Sequence, residues 1–417
     1  MSFSTLRIAW RNLGRNRRRT AFAVGAIALG QFTLVAVNGL MAGSFDEMMR
    51  AMTGPLAGHV QVQHREWREE RAVDLYLEDV GELSARVAAL PGVRAVSPRI
   101  YGPVLSAYGE KTDRPPDAEP AVVVGVDVAV EAQSGGLLDD RPEGGLPGGR
   151  AVLVGGVLAN RLGVGAGDLV AVIGQDAYGF PVSDLYRVKD AFMSRVDLVN
   201  TMGVVMALPD ARELFAMTDE AHQLLVHGYD HEDADRLAGA VRGLPAASGL
   251  EVLSWREAMP ELAGMLDLKD VVDVIFVAIV FVAAAAGIAN TAIMSTYERT
   301  HEFGMLLAVG ARPRRMLGIV LAESVALGLI GVALGSALGV AVVLVTHRTG
   351  INYAALGGVE ADTVGFAGIS ISYVVHPILE ARHVVFGVIA VTLTSVLASM
   401  WPAASAARLE PVEAMRA

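Results

Sequence analysis

The 417-residue chain contains no cysteine. This excludes structural disulfides, thiolate zinc sites, cysteine nucleophiles and a lipidated mature N-terminus. Charge is also scarce, with 19% charged residues against 53% hydrophobic ones and a mean hydropathy of +0.44. A soluble chain normally carries nearer to about 25% charged residues, so the balance points to membrane insertion. A positive excess is missing too, and the net charge of -11 argues against a nucleic-acid partner. No GxxxxGK[ST] phosphate loop and no H-E-x-x-H metal motif occurs.

The charge that is present is unevenly placed. Residues 1–20 hold six arginines (Arg7, Arg11, Arg15, Arg17, Arg18 and Arg19) and no acid, whereas residues 44–270 hold 36 acidic and 20 basic residues. Between and beyond these regions lie four apolar runs. Residues 21–43 contain no charge, and Val274–Met294 closes a second segment, 271–294. The third, 316–346, contains Glu323 but is uncharged from Ser324 onward, and the fourth is 384–401. At 1.5 Å per residue, runs of about 20 residues reach across a hydrocarbon core of about 30 Å. The first run follows a basic stretch, as in a signal peptide, but its apolar core is too long for one and predicts a retained anchor.

The positive-inside rule puts the basic segment 1–20 in the cytoplasm. Alternation then places 44–270 outside, 295–315 inside with Arg312, Arg314 and Arg315, 347–383 outside and 402–417 inside. The expected architecture is therefore that of an α-helical membrane protein, with four transmembrane helices and a large extracytoplasmic mixed α/β domain.

Within 44–270, "LSARVAALPGVRAVSPRI" predicts helix, turn and strand, and "HEDADRLAGAVRGLPAASGLEVLSW" repeats that order. The recurrence predicts either two related lobes or two halves of one α/β unit. "AVVVGVDV" reads as a strand, "RAVLVGGVLANRLGVGAGDLVAVIG" as strand, short helix, glycine turn and strand, and "MGVVMALPDARELFAM" as strand then helix. The glycines of "LGVGAGD" fit tight turns, not a nucleotide loop. His59, His64, His222, His227 and His231 fit solvated or structural positions, because "HGYDH" has a glycine between its i,i+4 pair. No catalytic residue, cofactor site or metal ligand is assigned. Residues 256–270 read as a helix leading into the second span, and "GFAGISISYVVHP" as a packed or partly membrane-associated outer segment.

"ERTHEFGMLLAVGARPRRM", residues 298–316, lies between the second and third spans. Ser295 and Glu298 form an S-x-x-E capping signature, predicting a helix over 297–309 that ends near Gly310 and stops at Pro313. Met305, Leu306 and Val309 offer apolar contacts to a soluble partner. In the third span, Gly331, Gly335 and Gly339 recur every four residues, a spacing that allows close helix packing. Glu323 reads as an element of force transmission or a subunit contact, or else as a snorkelling group or a simple helix-end contact.

This segment resembles the signature of FtsX-like ABC transporter permeases, a group that includes MacB-type efflux proteins and LolC/LolE-type lipoprotein-releasing permeases. Glu298, Arg299, Glu302, Gly304, Leu306, Ala308, Gly310 and Glu323 match the recurring pattern, and "PAASAARLEPVEAMR" resembles the family's closing segment. "AWRNLGRNRRRT" and "VGGVLANRLGVGAGD" extend the likeness over essentially the whole chain. Leu307 and Phe303 depart from it, standing where arginine or lysine and isoleucine are common, and Met415 replaces a leucine. The resemblance implies ATPase coupling through Glu298, Arg299, Glu302, Phe303, Gly304, Leu306 and Gly310, and helix contacts at Glu323, Gly331, Gly335 and Gly339. It implies a separate ABC ATPase dimer that binds ATP and Mg, and a second permease subunit, identical or homologous. Membrane lipid, a lipoprotein substrate and a periplasmic carrier complete the expected partners. Lipoprotein release toward the outer membrane is the leading expectation, with MacB-like efflux or FtsX-like regulation of a cell-wall enzyme as alternatives.

Overall fold

The computed structural model describes residues 17–109, 118–133, 135–139, 145–357, 363–366 and 369–408. Arg7, Arg11 and Arg15, and the closing segment from residue 409, lie outside the described residues. Seven described helices have nine residues or more: α1 (Arg17–Met52), α2 (Val80–Ala88), α3 (Ala234–Arg242), α4 (Pro260–Glu298), α5 (Thr300–Ala308), α6 (Pro313–Thr349) and α7 (Ala381–Ala407). The main strands are β1 (Val60–Gln63), β2 (Val93–Tyr108), β3 (Glu119–Val126), β4 (Ala151–Gly155), β5 (Leu169–Gln175), β6 (Pro181–Phe192), β7 (Gly203–Ala207), β8 (Gln223–Gly228) and β9 (Glu251–Ser254). The chain forms two compact units, one of Met1–Phe45, Leu266–Leu356 and Val374–Ala417, the other of Asp46–Met265 and Gly357–Tyr373.

In the first unit, α1, α4, α6 and α7 are long and apolar enough to cross a membrane. With 39 residues, α4 is about 58 Å long, well beyond the hydrocarbon thickness, so it extends out of the apolar layer. Residues 256–270 are not one helix. A four-residue helix, Trp255–Ala258, is capped by Ser254 with Glu257, and the chain turns at Met259 (φ -128°, ψ 70°) before Pro260 opens α4.

The three glycines of α6 face α1. A Cβ on Gly331 would stand 2.7 Å from Ile27 Cβ, and one on Gly339 2.8 Å from Val35 Cβ. At Gly335 it would meet the Ala28 carbonyl and lie 2.8 Å from Gln31 Cβ. Gln31 Nε2 also donates to Ser336 Oγ at 3.1 Å, adding a polar tie in a setting where apolar contact alone gives little drive for association. The stripe thus packs helices of one chain. Gly335→Leu is expected to part α1 from α6 and lower the yield of folded protein several-fold, whereas Gly287→Leu, with nothing within 4 Å of its added Cβ, should not. Size-exclusion profiles of the two variants provide the comparison.

The second unit is built on β2, which pairs β3 along one edge and, along the other, β8 with its first half and β5 with its second. Strands β2-β3-β7-β4-β6-β5 close into a ring, and β2-β8-β1-β9 form an all-antiparallel four-stranded sheet. With α2 between β1 and β2, and α3 between β8 and β9, this sheet is a βαββαβ unit. The repeated helix–turn–strand segments are therefore its two halves, not two lobes. The amphipathic face of α2, Val80, Leu83 and Val87, is buried, as is that of α3, Leu237, Ala238 and Val241. Backbone φ of +67° at Gly163 ends the short helix Gly156–Leu162, so "LGVGAGD" is a turn between elements. Residues 357–373 belong to this unit through Ser370, whose N–H donates to the Arg195 carbonyl at 2.7 Å and whose hydroxyl lies 3.0 Å from Asp197 Oδ1.

An ion pair and a histidine are sealed inside this unit. Arg99 and Glu131 are almost wholly buried, Nε to Oε1 at 2.7 Å and Nη2 to Oε2 at 2.8 Å. Arg99 Nη1 donates to the Pro55 carbonyl at 2.6 Å, and Glu131 also accepts from Ser97 and the Leu137 N–H. Burial opposes both charges, but the pair outweighs it: Arg99 stays above its ordinary pKa and Glu131 below its own. His222 Nδ1 accepts from the Tyr101 N–H at 2.9 Å, which leaves Nε2–H to donate to the Val73 carbonyl at 2.9 Å. Its ring stacks on Trp67 at 4.3 Å. This is a neutral imidazole with both nitrogens satisfied, a structural histidine.

Burial holds His222 and His227 down at about 4, from an ordinary 6.5. Between pH 6.5 and 4 the unfolded chain binds protons that the fold refuses, so stability rises with pH across this window. The loss on acidification approaches about 3 kcal/mol per histidine, complete near pH 4. Thermal unfolding followed from pH 7 to 4 should show this decline, and His222→Gln should remove the share of His222 while that of His227 remains.

Candidate functional site

The segment joining the second and third spans is organised by one arginine. Helix α4 runs through Ser295 to Glu298, so the S-x-x-E pair caps nothing: the apolar run carries the helix past its signature. Ser295 Oγ instead donates to Glu323 Oε1 at 3.3 Å. The chain breaks at Arg299 (φ -114°, ψ 14°), and α5 follows from Thr300 to Ala308, shorter at both ends than the sequence predicted. Gly310, at φ +93°, supplies the reversal and Pro313 the first turn of α6.

Arg299 lies at the break and holds both neighbours. Its Nε donates to Glu302 Oε2 in α5 at 3.1 Å, and its Nη1 to Glu323 Oε2 in α6 at 3.0 Å. The side chains of Arg299 and Glu323 are each only 12% exposed. Glu323 is thus tied within the chain. The Arg299 guanidinium also sits 5.0 Å from the Phe303 ring centroid. Phe303, 1% exposed, anchors α5 among Met316, Ile319 and Val320 of α6 and Ala403 and Ala406 of α7. Leu307 packs half-buried against the same cluster, so both departures from the family pattern contribute apolar anchorage. Gly304 is buried beside Phe303.

The opposite face of α5 is open. Met305 and Leu306 are close to half exposed and Val309 is 90% exposed. Arg312, Arg314 and Arg315 are exposed just beyond. Glu298 pairs with Arg19 of α1 at 2.8 Å. Sequence reasoning missed this contact and the Arg299–Glu323 pair, because their partners are 279 and 24 residues apart and leave no periodic trace. Toward the other end of α4, Lys269 Nζ lies 3.0 Å from Asp273 Oδ2, and His383 Nε2 of α7 is 3.8 Å from the same oxygen.

The open face of α5 is thus an apolar surface, Met305, Leu306 and Val309, beside three arginines. Among the described residues no three His, Asp or Glu side chains converge as metal ligands. The family described as MacB-like periplasmic core domain matches residues 20–244, and that described as FtsX-like permease C-terminal matches 274–411. An uncharacterized ABC transporter permease of Methanocaldococcus jannaschii is 24% identical over 247 residues, 56% of this chain and 57% of that protein. The macrolide export ATP-binding/permease protein MacB of Shewanella oneidensis is 34% identical over 134 residues, 32% of this chain and 17% of MacB. The lipoprotein-releasing system transmembrane protein LolC of Xylella fastidiosa is 23% identical over 432 residues, 96% of each chain. The chain therefore spans little more than half of the first of these relatives and under a fifth of MacB. The solved periplasmic region of MacB from Actinobacillus actinomycetemcomitans aligns with 49% of the chain at 10% identity and a TM-score of 0.32.

Proposed function

The chain belongs to the MacB/FtsX-like permease family, and on that premise we propose that it is the permease subunit of an ABC system, worked by an ATPase that grips α5. The observation that carries this reading is the two-sided build of α5. One face is fixed to α6 and α7 by Phe303 and Arg299, and the other presents Met305, Leu306 and Val309 to a partner. A helix held so firmly on one side passes displacement to the spans. The large domain is extracytoplasmic, and the membrane is the inner (cytoplasmic) one. A second permease subunit, identical or homologous, pairs with this chain, and ATP and Mg are bound by the ATPase dimer.

Lipoprotein release is the cargo reading we favour, supported by a likeness to LolC that runs the length of both chains. The higher identity to MacB, confined to 134 residues, supports efflux as the second reading.

Purification of the complex from native membranes, followed by reconstitution, tests both levels. An ATPase should co-purify, and ATP should drive lipoprotein to a soluble acceptor. Movement of small amphiphiles with lipoprotein retained would replace release by efflux. Val309→Asp with Met305→Asp should weaken ATPase binding more than tenfold while leaving insertion intact, because a hot-spot contact of about 2 kcal/mol or more is lost at each. Unchanged binding would remove α5 from the interface.

A further inference from the structure

Helix α4 packs one side on α1, where Ile288 clusters with Ile27 and Val280 Cγ1 would lie 3.3 Å from a Cβ added at Gly30. Asn290 stands on its other, open side, about 6 Å inside Met294, where that apolar run ends. It is exposed, and its carboxamide has no hydrogen-bond partner among the described residues. Hydrocarbon offers neither donor nor acceptor, so an amide left there is costly, and such groups tie membrane helices together. The other carboxamides among the described residues of α1, α4, α6 and α7 are Gln31 and Asn38, both buried. Asn290 alone of these is turned outward.

The surface around it differs from the other outward faces. Ala286 and Ala283, one and two turns before Asn290, are exposed on the same side, and a Cβ added at Gly287 would meet nothing within 4 Å. A second helix can therefore come close enough to reach the amide. On α6 the exposed side chains include Leu334, Leu338 and Val345, and on α7 Phe386, Ile389 and Leu393, large apolar groups that suit acyl chains. A carboxamide carries both donors and an acceptor, so it pairs with a copy of itself across a two-fold axis and needs no other group.

We infer that α4 meets α4 of a second copy of this chain, the two Asn290 carboxamides hydrogen-bonded to each other. This rests on the proposed pairing with a second permease subunit and goes further, in placing the contact and in requiring an identical copy. The unpartnered amide carries the inference; the alanines only allow the approach.

The test uses the full chain, expressed alone in membranes. Because it has no cysteine, Ala286→Cys or Met294→Cys supplies its only thiol and leaves Asn290 intact. Mild oxidation should join two chains through either position, and roughly tenfold less through Leu338→Cys or Leu393→Cys on the other outward faces. Energy transfer between labelled chains in liposomes then measures the pairing. Asn290→Leu should weaken it about threefold to tenfold, the worth of an interhelical amide bond. Ala286→Leu, which holds the helices apart, should weaken it more than tenfold, with insertion and the unfolding midpoint unchanged because the position is open. Chains joined through residue 338 or 393 instead would overturn this face and leave a second subunit standing. Chains that stay monomeric at every lipid dilution would overturn the pairing of identical copies. Pairing indifferent to both leucine substitutions would remove the amide from the contact.

Discussion

Arg99→Ala is expected to destabilise the second unit by about 3–5 kcal/mol, enough to leave much of it unfolded at physiological temperature. The cost comes from what remains behind. Glu131, wholly buried, would keep Ser97 and the Leu137 N–H as partners but lose the cation that offsets its desolvation. The Pro55 carbonyl would lose its donor as well, freeing the turn that follows α1. Arg99→Met combined with Glu131→Leu removes both charges and replaces them with apolar volume, and should recover most of the loss. Thermal unfolding of the single and double variants decides this. If the double variant is no more stable than the single one, the pair does not act through charge burial.

The second large effect is expected at Arg299. Arg299→Met leaves Glu323 without its cation and removes one partner of Glu302, at a cost of about 2–3 kcal/mol for a nearly buried pair. Phe303 keeps its place among Met316, Ile319 and Ala403, so α5 should remain docked. The expected phenotype is therefore separation of functions. Under the proposed function, the ATPase should still bind and hydrolyse ATP, while transport per ATP should fall about tenfold or more, since 1.4 kcal/mol corresponds to a factor of ten. Adding Glu323→Gln removes the orphaned charge and should restore part of the transport. A simultaneous loss of ATPase binding would show that Arg299 shapes the docking face instead.

What could be read from the sequence was mainly local. "LSARVAALPGVRAVSPRI" carries a 3.6-residue period, a Pro-Gly break and then β-branched alternation, and the structure has α2 and β2 there. The closing of β2-β3-β7-β4-β6-β5 into a ring left no such mark, because pairing of β2 with both β5 and β8 is a choice among distant strands. The error at Ser295 has the same origin. A four-residue capping signature competes poorly with a 39-residue helix whose apolar face continues through it. Between the second and third spans, the pairing of the charged residues left no mark in the sequence. Arg299 joins Glu302 in its own helix to Glu323 beyond the turn, and only the fold brings the second carboxylate within 3.0 Å.

The arrangement of β1 has a consequence for biosynthesis. Its two neighbours, β8 and β9, begin 160 and 188 residues downstream, counting from Gln63 to Gln223 and Glu251. During translation, Val60 and Val62 must wait with their backbone groups unpaired until β8, and then β9, has emerged. High contact order of this kind slows folding and prolongs exposure of aggregation-prone edges. A chain released early, before Glu251, would carry its first strand without a sheet to join, an open edge suited to wrong pairing or to a protease.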